Sequence, residues 1–158
     1  MRDWSRRETM WAGAATAGAL ALGGVASAAV DAKPAMTTYR DPGCGCCGKW
    51  ADLAKAAGYP VRVIPTRQMA LVKTKLGVPE ALTSCHTSRV GGYVVEGHVP
   101  FAAIDKLLRT KPKGITGIAV PGMPAGSPGM EVHGGHGGGE AIKVFAFNRS
   151  GQQSEFRF

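Results

Sequence analysis

The stretch that decides the fold is Met36-Thr37-Thr38-Tyr39-Arg40-Asp41-Pro42-Gly43-Cys44-Gly45-Cys46-Cys47-Gly48-Lys49-Trp50-Ala51-Asp52-Leu53-Ala54-Lys55-Ala56-Ala57-Gly58. Its first five residues are rich in β-formers and read as a short strand. Asp41-Pro42-Gly43 is a turn. From Lys49 to Ala57 the residues Trp50, Leu53, Ala54 and Ala57 recur at helical spacing on one face, and Gly58 stops the helix. Three cysteines therefore lie between a first strand and a first helix.

Outward from this stretch, Val61 to Ile64 reads as a second strand, rich in branched apolar residues and so expected in the middle of a sheet. Gln68 to Leu76 predicts a second helix closed by Gly77, with Met69 on its core face. Val90 to Val99 predicts a strand, a turn at Glu96-Gly97 and a short return. Pro100 suits the first turn of a helix running to Leu108, with Ile104, Leu107 and Leu108 as its apolar face. Ile115 to Val120 is a further strand candidate. Pro121 to Met130 is too rich in Pro and Gly for regular structure, and His133 to Gly139 continues it as a flexible loop. Ala141 to Phe147 is a strand, Asn148-Arg149-Ser150-Gly151 a hairpin turn, and Gln152 to Phe158 the returning strand. The order βαβα, ββ, α and a terminal hairpin predicts an α/β fold: a mixed central sheet with helices on its faces and a C-terminal β-hairpin. A cysteine motif between the first strand and first helix is the thioredoxin arrangement.

The 158 residues suit one domain, and 44% hydrophobic with 19% charged residues is globular composition rather than disorder. The net charge of +8 is spread along the chain. It forms no run of five like charges and no aromatic-rich basic stripe, which argues for a solvated positive surface and against nucleic acid as a partner. The N-terminus reads as an export signal. Arg2, Arg6 and Arg7 precede an uncharged run from Trp11 to Val30, which ends in Ala26-Ser27-Ala28, an A-x-A cleavage pattern. Ser5-Arg6-Arg7 resembles a twin-arginine signal. The expected organisation is a signal over residues 1–28, a linker over 29–35 and one domain over 36–158. The alternative is an uncleaved anchor, since the run is just long enough to span a bilayer. Its Ala and Gly content makes it weakly apolar, so cleavage, a periplasmic location and no stable membrane insertion are expected.

Thiolates are soft ligands that select copper(I), zinc or iron–sulfur clusters. At a helix start the unpaired N–H groups favour them further. Cys44 and Cys47 have the CxxC spacing, and Cys46 projects to another side. Three readings compete: a redox dithiol of Cys44 and Cys47, sulfurs shared among metal ions, and plain structural disulfides. The adjacent Cys46 and Cys47 argue against the last. The fourth cysteine, Cys85, precedes His86 in Thr83-Ser84-Cys85-His86-Thr87, a hydrogen-bonded loop by composition. A Cys44–Cys85 or Cys47–Cys85 disulfide in the metal-free protein is open under either remaining reading. Met123 and Met130 lie in a loop with little core to bury them, and thioethers suit copper(I). His98 either faces the site or satisfies a loop hydrogen bond. His133 and His136 sit in a glycine-rich arm able to pick up metal loosely.

Several segments, taken in order, resemble the DUF411 family of small exported proteins linked to copper resistance. They are Asp41-Pro42-Gly43-Cys44-Gly45-Cys46-Cys47, Ser84-Cys85-His86-Thr87, Val90 to Pro100, Gly117 to Pro124 and Gly126 to Glu131. The resemblance implies a thioredoxin-like fold and periplasmic copper binding. By position, it makes Cys44, Cys46, Cys47 and Cys85 the metal and redox groups, with His86, His98, Met123 and Met130 near them. The His133–Gly139 segment departs from the family core. The expected function is copper(I) binding for copper tolerance, by one ion or several sharing thiolates. Copper ions and other periplasmic copper-handling proteins are the expected partners, and catalysis is not required. The alternative is a thiol oxidoreductase, with Cys44 as nucleophile and Cys47 as resolving thiol, acting on copper(II) or protein disulfides.

Overall fold

The computed structural model describes residues 32–130 and 141–158. The expected signal and the histidines at 133 and 136 lie outside those residues. Among the described residues, no helix is long and apolar enough to cross a membrane.

The elements are β1 (Met36–Arg40), α1 (Gly45–Ala56), β2 (Val61–Pro65), α2 (Met69–Leu76), a 3-10 turn (Glu80–Leu82), β3 (His86–Val90), β4 (Tyr93–Glu96), α3 (Phe101–Thr110), β5 (Gly117–Ala119), β6 (Phe145–Phe147) and β7 (Gln153–Glu155). The seven strands of the described residues join one sheet in the order β2-β1-β3-β4-β5-β6-β7. The pairs β1–β2 and β4–β5 are parallel, and the others are antiparallel. The expected mixed sheet with helices on its faces and a terminal hairpin is present.

Strand alternation sorts the apolar residues into two cores. Met36, Val90, Val95, Ile118 and Ala146 pack with Trp50 and Ala54 of α1 and with Ala103, Ile104 and Leu107 of α3. Val94, Ala119 and Phe147 pack on the other face with Val78 and Leu82. Adjacent Val94 and Val95 thus enter opposite cores.

Four details differ from the sequence expectation. Helix α1 starts at Gly45, four residues before Lys49, so Cys46 and Cys47 lie in its first turn. Strand β2 is an edge strand, paired with β1 alone, and has no fully buried residue. Met69 is only partly buried, and α2 as a whole contains no fully buried residue. The hairpin turn falls at Gly91-Gly92, not at Glu96-Gly97. Both glycines have positive φ, 55° and 88°, as a tight two-residue turn between right-twisted strands requires. As a result His86 and Thr87, read as loop, open β3 together with Ser88. Their polar side chains are buried in pairs, such as Thr38 Oγ1 with Ser88 Oγ at 2.9 Å.

Candidate metal centre

Register explains why distant residues meet. Arg40 at the end of β1 lies opposite His86 at the start of β3. Thr87 lies opposite Glu96 at the end of β4, and Glu96 lies opposite Ala119 at the end of β5. The chain entering α1, the segment entering β3 and the segments leaving β4 and β5 therefore gather at one end of the sheet. Those segments carry Cys44, Cys46 and Cys47, then Cys85 and His86, then His98, and then the Pro/Gly-rich loop.

The α1 side is shaped by local bonds. The Asp41 carboxylate accepts the Gly43 N–H at 2.8 Å, and the Asp41 carbonyl accepts the Cys44 N–H at 3.0 Å. Arg40 Nη1 donates to the carbonyls of Asp41, Pro42 and Cys44, each at 3.1 Å. Cys44 is the N-cap of α1, and no acidic residue occupies the first turn. The unpaired N–H groups there favour negative charge on sulfur. Cys44 and Cys47 are disulfide-bonded, with Cα atoms 5.4 Å apart. Cys46 and Cys85 are free, and the Cys46 sulfur lies 3.6 Å from that of Cys44. Neither disulfide to Cys85 forms.

The second side is long-range. Cys85 Sγ lies 3.0 Å from His98 Nε2 and 3.3 Å from His86 Nδ1. His98 Nδ1 lies 2.7 Å from the Pro128 carbonyl. A carbonyl only accepts, so Nδ1 carries a hydrogen, and in the neutral ring the Nε2 lone pair faces the sulfur. An imidazole anchored in this way is oriented for a metal. His98 therefore faces the cluster and also satisfies a loop carbonyl, so both of its expected roles hold at once. His86 is fully buried against the Trp50 ring, with centroids 4.6 Å apart, and its Nε2 has no hydrogen-bond partner among the described residues.

Two overlapping groups bring their donor atoms within 4.8 Å of one another: Cys44, Cys46, Cys47 and Cys85, and Cys47, Cys85, His86 and His98. Thiol sulfur and imidazole nitrogen are the donor types that suit copper or zinc. Of these donors, Cys85 and His86 are held in their neutral forms at neutral pH. Burial, reinforced by the neighbouring Cys46 sulfur, pushes the Cys85 thiol up to about 11. Burial, then the charges of His98 and Lys73, holds the His86 imidazolium down to about 3. A metal ion arriving at Cys85 must displace a proton.

The loop closes over the first turn of α1. Gly129 is buried with φ +82°, and a Cβ there would lie 3.0 Å from the Trp50 nitrogen and 3.2 Å from the Cys46 carbonyl. Met130 follows it, half-buried, its N–H bonded to the Ser127 carbonyl at 2.8 Å. Met123 stands 54% exposed on the same loop. Sequence reasoning missed Trp50 as the wall behind His86 and Arg40 as the brace of the turn. It also missed Glu96, fully buried beside the cluster. The signal for Glu96 was a lone carboxylate ending the apolar run Tyr93-Val94-Val95.

Comparison with known proteins finds a family and two solved structures that resemble the chain. The family described as "Protein of unknown function, DUF411" matches residues 82–130, which span Cys85, His86, His98, Met123 and Met130. No curated protein sequence matches the chain. Two solved structures, forms 1 and 2 of copper resistance protein CopG, match with TM-scores of 0.71 and 42% identity. Each match covers 79% of this chain, and 96% and 97% of the respective CopG chain. With that identity sustained over nearly the whole of the CopG chains, the chain belongs to the DUF411 family.

Proposed function

We propose that this protein binds copper(I) outside the cytoplasm and serves copper tolerance. The observation that carries the reading is the meeting of four cysteine sulfurs and two imidazoles in two groups that share Cys47 and Cys85. Shared thiolates suit soft ions held side by side, and bound thiolate keeps copper from cycling with oxygen. The 42% identity to a copper resistance protein and the signal-like N-terminus support the setting. Met123 and Met130 serve as softer outer donors on the covering loop.

The Cys44–Cys47 disulfide favours a second reading. Reduced, the pair gives one electron to each of two copper(II) ions, yielding two copper(I) ions, a disulfide and two protons. In the oxidised form those two sulfurs are unavailable as thiolates, so full loading follows reduction.

Both readings meet one experiment. Protein reduced and reconstituted anaerobically with copper(I) is expected to retain at least one equivalent through gel filtration against a competing chelator. Less than stoichiometric retention overturns copper binding. Cys46→Ser separates the readings: the reduced dithiol still converts two copper(II) ions to copper(I) per chain, whereas a shared-sulfur site loses bound copper.

A further inference from the structure

A buried ion pair stands behind the cluster, and copper binding as described gives it no task. Glu96 is fully buried at the end of β4. Its Oε1 accepts from Lys73 Nζ at 2.5 Å and from the Ser84 N–H at 2.7 Å, and its Oε2 accepts from Thr87 Oγ1 at 2.6 Å. Lys73, on α2, also donates to Thr87 Oγ1 at 3.1 Å. Burial pushes the Glu96 carboxyl up, and Lys73, Thr87 and the Ser84 N–H oppose it. Taking both charges out of water is expensive, and an apolar pair of similar volume is often as stable. A role in stability alone therefore explains the pair poorly.

Its position suggests a different role. Ser84 immediately precedes Cys85, Thr87 immediately follows His86, and Glu96 stands two residues before His98. One carboxylate thus grips the chain on both sides of Cys85-His86 and ties it to the strand that delivers His98. Ser84 extends the grip, because its hydroxyl donates to the Gly122 carbonyl at the base of the covering loop. The Gly97 N–H, donating to the His86 carbonyl at 2.9 Å, adds a second tie between the same two segments.

We propose that Glu96, neutralised by Lys73, is a positioning residue that holds Cys85 and His86 against His98, so that these three donors are preset for a metal ion. This rests on the copper-binding reading but acts on the metal-free protein as well, and that separates the two in the test. Two double variants are compared with the parent. Lys73→Met with Glu96→Gln keeps an amide oxygen for the Ser84 N–H and turns an amide N–H to the Thr87 hydroxyl, which can accept. Lys73→Met with Glu96→Leu fills the space and removes the acceptor. In the oxidised, metal-free full chain, iodoacetamide alkylation at Cys85 is followed by peptide mass. The leucine pair is expected to react about tenfold faster, with the glutamine pair close to the parent. Copper release to a chelator is expected to follow the same order, by about tenfold, as for other partners that orient metal ligands.

A folded leucine pair with alkylation matching the parent overturns the proposal, as does a glutamine pair as loose as the leucine pair. If the leucine pair does not fold, Thr87→Val decides: it removes one donor at nearly constant volume, and unchanged Cys85 alkylation overturns the proposal. A parent that takes no copper while the alkylation contrast holds leaves the positioning role standing and removes the copper reading.

Discussion

Cys85→Ser is expected to lower copper(I) affinity at least about a hundredfold, more than is typical for residues that only orient metal ligands. Cys85 belongs to both four-donor groups and lies nearest His98, at 3.0 Å. Oxygen in place of sulfur removes a soft ligand from each group and leaves a hydroxyl that copper(I) disfavours. Cys47 is shared in the same way, but it is buried in α1, so replacing it also disturbs packing. Cys85 is half-buried just before β3, and the metal-free melting temperature of Cys85→Ser is expected to stay near that of the parent. Competition with a chromophoric copper(I) chelator measures the loss. Unchanged affinity and stoichiometry would remove Cys85 from the centre.

Trp50→Ala is expected to give the largest loss of stability among single replacements near the site, about 3–5 kcal/mol. Trp50 is fully buried on α1. It packs against His86 and Phe101 at centroid distances of 4.6 and 5.4 Å, and its Nε1 donates to the Val99 carbonyl at 3.1 Å. Truncation opens a cavity between α1 and α3 and strips that carbonyl of its donor. Against a total of about 5–15 kcal/mol, this brings the metal-free protein close to unfolding at physiological temperature. Urea melts followed by circular dichroism measure it, and a loss below about 1 kcal/mol would show that α1 is held by other contacts. Because the indole is also the wall behind His86, copper release from the folded fraction is expected to quicken as well.

How much was legible in the sequence depended on range. The helix carrying Trp50 and Ala54, the turn at Asp41-Pro42-Gly43, the terminal hairpin at Asn148–Gly151 and the clustering of Cys44, Cys46 and Cys47 are local patterns, and all of them appear in the structure. What failed was long-range. Val61, Val63 and Ile64 suggested a central strand, yet nothing in their pattern tells which neighbours cover them, and β2 lies at the edge. Thr83 to Thr87 suggested a hydrogen-bonded loop because Ser and Thr flank Cys85-His86 on both sides. The hydroxyls of Ser88 and Thr87 are instead buried and bonded to Thr38, Glu96 and Lys73, from 50, 9 and 14 positions away. The pairing of Cys85 with His98 depends on the β3–β4 register, which the turn at Gly91-Gly92 sets.

The division of the centre between a local side and a long-range side couples metal uptake to folding. Cys44, Cys46 and Cys47 lie within three positions of one another even in an unfolded chain, so a denatured molecule with that disulfide reduced still offers copper three sulfurs. Cys85 and His98 join them only when β1, β3 and β4 have paired. Only the affinity that this second side adds is therefore returned as resistance to unfolding, and each tenfold difference in binding between the folded and unfolded chain is worth about 1.4 kcal/mol once copper is in excess. The rise of the melting temperature with copper thus measures the contribution of Cys85, His86 and His98, separately from that of the clustered cysteines.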